Sequence, residues 1–141
     1  DPYFLGGGIH CVERGGWLNV HTDFNRQEHL KLDRRLNVLI YLNDGWEGEW
    51  GGGLELYSCR KVAEGGRHPY EPGAPIVFVP PSLGTMVVFG TTPWSFHGHP
   101  EPITCPMGMT RKSIALYYYT NGRPDDEVLP GHPTLFFERQ Q

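Results

Sequence analysis

In the segment LNVHTDFN, His21 and Asp23 stand two positions apart and both can donate to a metal ion. Alternate side chains of an extended strand share a face, so this imidazole and carboxylate point the same way, about 6–7 Å apart along the backbone. They can converge on one ion while Leu18 and Val20 take the opposite, core-packing face. An HxD pair alone is common, and a third ligand is needed. PWSFHGHP supplies two candidates, His97 and His99, which also share a face; position alone does not choose between them.

Two His and one carboxylate leave adjacent coordination positions open, the arrangement that non-haem Fe(II) chemistry uses to admit O2 and a second ligand. Zinc also accepts two His and one Asp with a water in fourth place, so hydrolysis stays open on the ligands alone. RKSIALYYYT adds a different group. Arg111 and Ser113 share one strand face, and the planar guanidinium fork can grip a carboxylate at two points while the hydroxyl donates a further bond. A 2-oxo acid that chelates iron through one end needs such a grip at the other. Lys112 faces the opposite way and would serve only on a shifted register.

The elements around these residues read as short strands. WLNVH (17–21), RLNVLIYLN (35–43), GLELY (53–57), PIVFVP (75–80), GTMVVFG (84–90), WSFHGH (94–99) and RKSIALYYYT (111–120) alternate or run apolar. Turn signals separate them at 43–45, 51–53, 64–66 and 71–75. RQEHLKLDRR (26–35) is the one helix-like stretch. This pattern predicts an all-β fold, a sandwich, jelly roll or barrel with minor flanking helix. The polar interruption 58–75 is long enough for a functional loop, and the segment after Asn121 reads as irregular.

At 141 residues the chain is expected to be one domain, 1–141, and its start at Asp1 rather than Met is compatible with truncation at the N-terminus. A net charge of −4 speaks against a nucleic-acid partner. No apolar run is long enough for a membrane span and no signal-peptide pattern opens the chain. Cys11, Cys59 and Cys105 are odd in number and widely spaced, which reads as free thiols in a reducing, cytoplasmic compartment. Nothing in the pattern specifies an oligomeric state.

The ordered set HTDFN, RRLNVLIYLN with Trp46 and GGGLELY, FHGHP and RKSIALYYYT resembles the prolyl-4-hydroxylase-like branch of the Fe(II)/2-oxoglutarate-dependent oxygenases, from about residue 8 to residue 120. The resemblance implies a double-stranded β-helix, or jelly roll, with the metal between two sheets. It makes His21, Asp23 and His97 the iron ligands, with His97 preferred over His99 because the family's distal His precedes a Gly. Arg111 and Ser113 would bind the distal carboxylate of 2-oxoglutarate, with Tyr41 as a second donor and Lys112 as the substitute for Arg111. The implied reaction is hydroxylation of an unactivated C–H bond with conversion of 2-oxoglutarate and O2 to succinate and CO2, and ascorbate as reductant. The implied substrate is a prolyl residue in a peptide or protein. A free amino acid, another small metabolite, or a cupin-type metalloenzyme without 2-oxoglutarate are the alternatives. The EPITCPMGMT insertion should protrude near the site mouth. Trp46 and Trp50 should pack a turn, Tyr117 and Tyr119 should wall the pocket, and Asn25 and Arg26 should lie in a solvated turn. His10, His29, His68 and His132 are expected on surface or turns.

Overall fold

The computed structural model describes residues 4, 6–62 and 68–138. Its strands in chain order are β1 (Gly8–Glu13), β2 (Leu18–Thr22), β3 (Arg26–Gln27), β4 (Leu32–Tyr41), β5 (Leu54–Lys61), β6 (Tyr70–Val79), β7 (Met86–Gly90), β8 (His97–His99), β9 (Thr110–Thr120) and β10 (Leu135–Phe136). They form two antiparallel sheets, one ordered β1-β9-β4-β3 with β7 also paired to β4, the other ordered β10-β2-β8-β5-β6. The sheets pack face to face, with Phe89 of the first against the His97 ring of the second at 4.7 Å. The expected jelly-roll, all-β architecture is what the chain adopts.

Period-two patterning explains the packing. In β9, Arg111, Ser113 and Ala115 are buried inward while Lys112 and Tyr118 face out. On the outward face of the same sheet, Ile9, Leu36, Met86 and Val88 are exposed apolar residues. A second apolar cluster of Val20, Tyr57 and Phe96, joined by Tyr70 and Phe137, lies on the face of β2 away from His21. Leu18, expected beside Val20 in the core, is 39% exposed because the β2–β8 register shifts between Leu18 and His21. The paired strands β5 and β6 are longer than the strands read from sequence, so residues 58–61 and 70–75 of the interruption are strand. The turn expected at 64–66 lies outside the described residues.

The helix expected over 26–35 is instead a hairpin, with Arg26 opposite Asp33 and Lys31 at φ 53° in its turn. Its charges find buried partners across the fold, which a solvated helix would not offer: Arg34 meets Asp23, and Asp33 meets Arg123. Among the described residues helix is limited to two 3-10 turns, Gly48–Trp50 and Asp125–Glu127. None is long and apolar enough to cross a membrane. The tail after Asn121 is tied down: Arg123 donates to the backbone oxygens of Asn25 and Arg34 at 2.9 and 3.0 Å, and Leu135 pairs with Thr22. All three cysteines are free.

Candidate metal centre and anion cradle

β2 and β8 place His21 directly opposite His97, ring centroids 4.2 Å apart, and Asp23 follows at the end of β2. One donor atom from each of His21, Asp23 and His97 lies within 4.8 Å of the others, and all three residues are buried. Each imidazole has its Nδ1 against a backbone carbonyl, Asn19 at 2.9 Å for His21 and Ser95 at 3.2 Å for His97. That arrangement turns both Nε2 atoms toward Asp23, at 3.7 Å from Oδ1 and 3.5 Å from Oδ2 respectively. Carbonyl partners on Nδ1 fix the tautomer that presents Nε2 as the free lone pair, as metal-binding His requires. Two nitrogens and one carboxylate oxygen, buried and convergent, fit a divalent metal with open positions.

Asp23 is positioned by residues that the sequence did not single out. Asn37 Nδ2 donates to Asp23 Oδ2 at 2.6 Å, and Arg34 Nη2 lies 3.2 Å from the same oxygen. Arg34 also donates to Asn37 Oδ1 through Nε and Nη2, at 3.0 and 2.6 Å. Its guanidinium carbon sits 3.4 Å from the Tyr117 ring centre and 4.5 Å from that of Phe24. Asn37 and Arg34 thus both engage Oδ2, while Oδ1 faces the His21 Nε2. Burial pushes Asp23 up, but His97, Arg34, His21 and the Asn37 bond outweigh it and hold the carboxyl below its ordinary value. Burial drives His97 down to about 4, with Asp23 opposing. One signal for Asn37 was visible in the sequence: it shares the β4 face of Tyr41, where a core strand would carry an apolar side chain.

The candidate anion cradle lies on β4 and β9, where Tyr41 pairs with Ser113. Arg111, Ser113 and Tyr41 are all buried, Tyr41 completely. Arg111 donates Nε–H to Gly52 O at 2.5 Å and Nη2–H to Tyr41 Oη at 3.3 Å. Among the described residues no Asp or Glu forms an ion pair with it, so this buried cation offers its remaining donors to an anion. Burial lowers its pKa, with Tyr41 opposing. Lys112 is exposed on the other face with Nζ on its own strand's Thr110 O.

Gly52 shows why the GGG run is there. Its φ is 74°, and a Cβ would lie 3.0 Å from Arg111 Cδ and 3.2 Å from Ile103 Cδ1. Trp46 supports this turn by donating to Gly51 O at 3.0 Å, and packs edge-on against Trp50. The insertion after His99 is exposed at Glu101, Pro102, Thr104, Pro106, Met107 and Gly108, while Ile103 and Cys105 are buried and the Ile103 backbone is bonded to Gly15 and Gly16. Tyr117 walls the site beside Arg34 as its face predicts.

His99 does not join the metal cluster. It is 4% exposed on the same β8 face as His97, and among the described residues its Nδ1 has no hydrogen-bond partner. Burial, then Arg111 and His21, push it down to about 3, against a weak opposing pull from its own backbone oxygen, which lies outside hydrogen-bond geometry for Nδ1. Three expectations fail nearby. Asn25 is buried, donating to Pro130 O and accepting from His132 N–H, and Arg26 is half-buried against Asp33. His68 is 4% exposed among Tyr70, Phe96, His132 and Phe137 rather than on the surface. An open cleft of about 470 Å³ is lined by Phe24, the residue after Asp23, with Arg26, Glu28 and His132.

A family profile described as the 2OG-Fe(II) oxygenase superfamily matches residues 7–119. Among solved structures, a prolyl-4-hydroxylase from Pseudomonas putida is similar in fold, with 22% identity and a TM-score of 0.51 over 82% of this chain. The match covers 52% of that protein, so the chain spans about half its length. No curated protein matches the chain. With a profile covering most of its length, a convergent His-Asp-His cluster and a jelly-roll fold, the chain belongs to the 2OG-Fe(II) oxygenase superfamily.

Proposed function

We propose that the chain is a single domain that hydroxylates an unactivated C–H bond of a prolyl residue in a peptide or protein. In this reading His21, Asp23 and His97 bind Fe(II), and Arg111, Ser113 and Tyr41 bind the distal carboxylate of 2-oxoglutarate. The observation that carries it is a buried, convergent His-Asp-His set facing the same interior as a buried arginine with no carboxylate partner among the described residues. The prolyl assignment draws on the likeness to the Pseudomonas putida prolyl-4-hydroxylase.

Bound iron would couple O2 reduction to oxidative decarboxylation of 2-oxoglutarate to succinate, with ascorbate as the expected reductant. The protein's part is positional. His21 and His97 present Nε2 in a fixed tautomer, and Asn37 with Arg34 holds Asp23 by Oδ2, which would leave Oδ1 to bind the ion. Arg111 sets the far end of the co-substrate, and Gly52 with Ile103 closes over its stem. Phe89 and Phe136, packed on the two histidine rings, keep water from the ligands. The cleft lined by Phe24, the residue after Asp23, is where this reading places the substrate.

The test supplies the purified chain with Fe(II), 2-oxoglutarate, ascorbate and air. Prolyl peptides, free proline and other free amino acids are compared, reading succinate and a product one oxygen heavier. A hydroxylated prolyl peptide supports the reading. Hydroxylation of a free amino acid alone moves the assignment to small metabolites, and substrate turnover without 2-oxoglutarate moves it to a cupin-type enzyme.

A further inference from the structure

We propose that His99 is a further co-substrate-binding residue, its Nδ1–H donating to an oxygen of 2-oxoglutarate between the metal cluster and Arg111. This rests on the reading that the chain uses 2-oxoglutarate. Three imidazoles crowd the β2–β8 interior, and two of them, His21 and His97, direct Nδ1 to a backbone carbonyl. His99 breaks that pattern: it is 4% exposed, and its Nδ1 is buried without a partner among the described residues. Leaving a buried nitrogen unsatisfied costs free energy, and a ligand that fills the interior can recover it.

Placement identifies the ligand. His99 lies two residues past His97 on the same strand face, about 6–7 Å further along β8. β5 runs antiparallel beside β8, with Leu56 opposite His97 and Glu55 opposite Gly98, so the chain that leads back from Leu54 to Gly52, whose oxygen takes the Arg111 Nε–H, leaves β8 at its His99 end. The ring thus lies along β8 between the His97 end, where the metal cluster sits, and the end at which Arg111 is bonded to Gly52. A five-carbon dicarboxylate stretched between those two sites passes this nitrogen, and carboxylate oxygens accept hydrogen bonds only. A leucine, close in volume, would fill the space and donate nothing.

The experiment titrates 2-oxoglutarate into the Mn(II)-loaded chain by calorimetry, with Mn(II) affinity measured separately for each variant. His99→Leu should weaken 2-oxoglutarate binding by about tenfold or more, while His99→Gln, which retains an N–H donor, stays within about threefold of the parent. Mn(II) affinity should be unchanged in both. His99→Met serves the same purpose should the Leu chain fail to fold. Equal 2-oxoglutarate binding by the parent and the Leu or Met chain overturns the assignment of His99 alone, as does a loss of Mn(II) that accompanies the loss of 2-oxoglutarate. No binding by the Mn(II)-loaded parent overturns the co-substrate reading itself, and this assignment with it.

Discussion

Replacing Arg34 by Met should expose how the metal cluster is balanced electrically before any metal arrives. Arg34 is 1% exposed and lies 3.2 Å from Asp23 Oδ2, and Asp23 is itself 8% exposed. Both charges are out of water, so loss of the cation leaves a buried carboxylate with only the Asn37 bond to its Oδ2. Breaking one side of such a pair costs about 3–5 kcal/mol, or roughly 10–17 °C in Tm for a domain of this size. Methionine preserves most of the stem between the Phe24 and Tyr117 rings, so lost packing is a minor part of that cost. The assay is urea unfolding of the metal-free chain for the parent, Arg34→Met, Asp23→Asn and the double variant. The account requires that adding Asp23→Asn to Arg34→Met recover more than half of the lost stability, because the uncompensated charge is then gone. An Arg34→Met chain within about 1 kcal/mol of the parent, or one that Asp23→Asn does not relieve, refutes the reasoning.

Further outcomes follow from the same geometry. Gly52→Val places side-chain atoms against Arg111 and Ile103 at φ 74°, and should weaken 2-oxoglutarate binding by about tenfold while leaving metal affinity intact, as calorimetry would read. The folded pKa of His97, about 4, lies below its ordinary 6.5, so the native state binds fewer protons than the unfolded chain between those values. Stability of the metal-free chain should therefore fall on acidification from pH 6.5 to 4, by at most about 1.4 kcal/mol per pH unit from this group. Urea midpoints at successive pH values measure this, and His97→Leu should flatten the slope. Arg123→Ala removes donors to Asn25 O and Arg34 O and the partner of Asp33, and should cost about 2–3 kcal/mol without touching metal affinity.

The site was legible in outline because strand periodicity converts sequence spacing into direction. His21 with Asp23, and Arg111 with Ser113, each share a face at spacing two, and the fold brings both faces to one interior. The same rule could not separate His97 from His99, since both obey it; only the pairing of His97 with His21 does. Arg34 was hidden in a charged stretch that looked like a solvated helix, because its partner Asp23 is eleven positions away and buried. The tail was read as irregular for a similar reason. Its contribution is Arg123 reaching back to residues 25, 33 and 34, contacts that no local pattern encodes. β1 also went unread, as GIHCVE has mixed polarity and gains strand character only from pairing with β9.

The most direct test of the central claim adds 2-oxoglutarate to the Fe(II)-loaded chain without oxygen and records the visible metal-to-ligand charge-transfer band. The account predicts a band from the parent that is lost in His97→Ala and Arg111→Ala and retained in Lys112→Ala. No band from the folded, iron-loaded parent, or a band that survives Arg111→Ala at the parent's 2-oxoglutarate affinity, would contradict it.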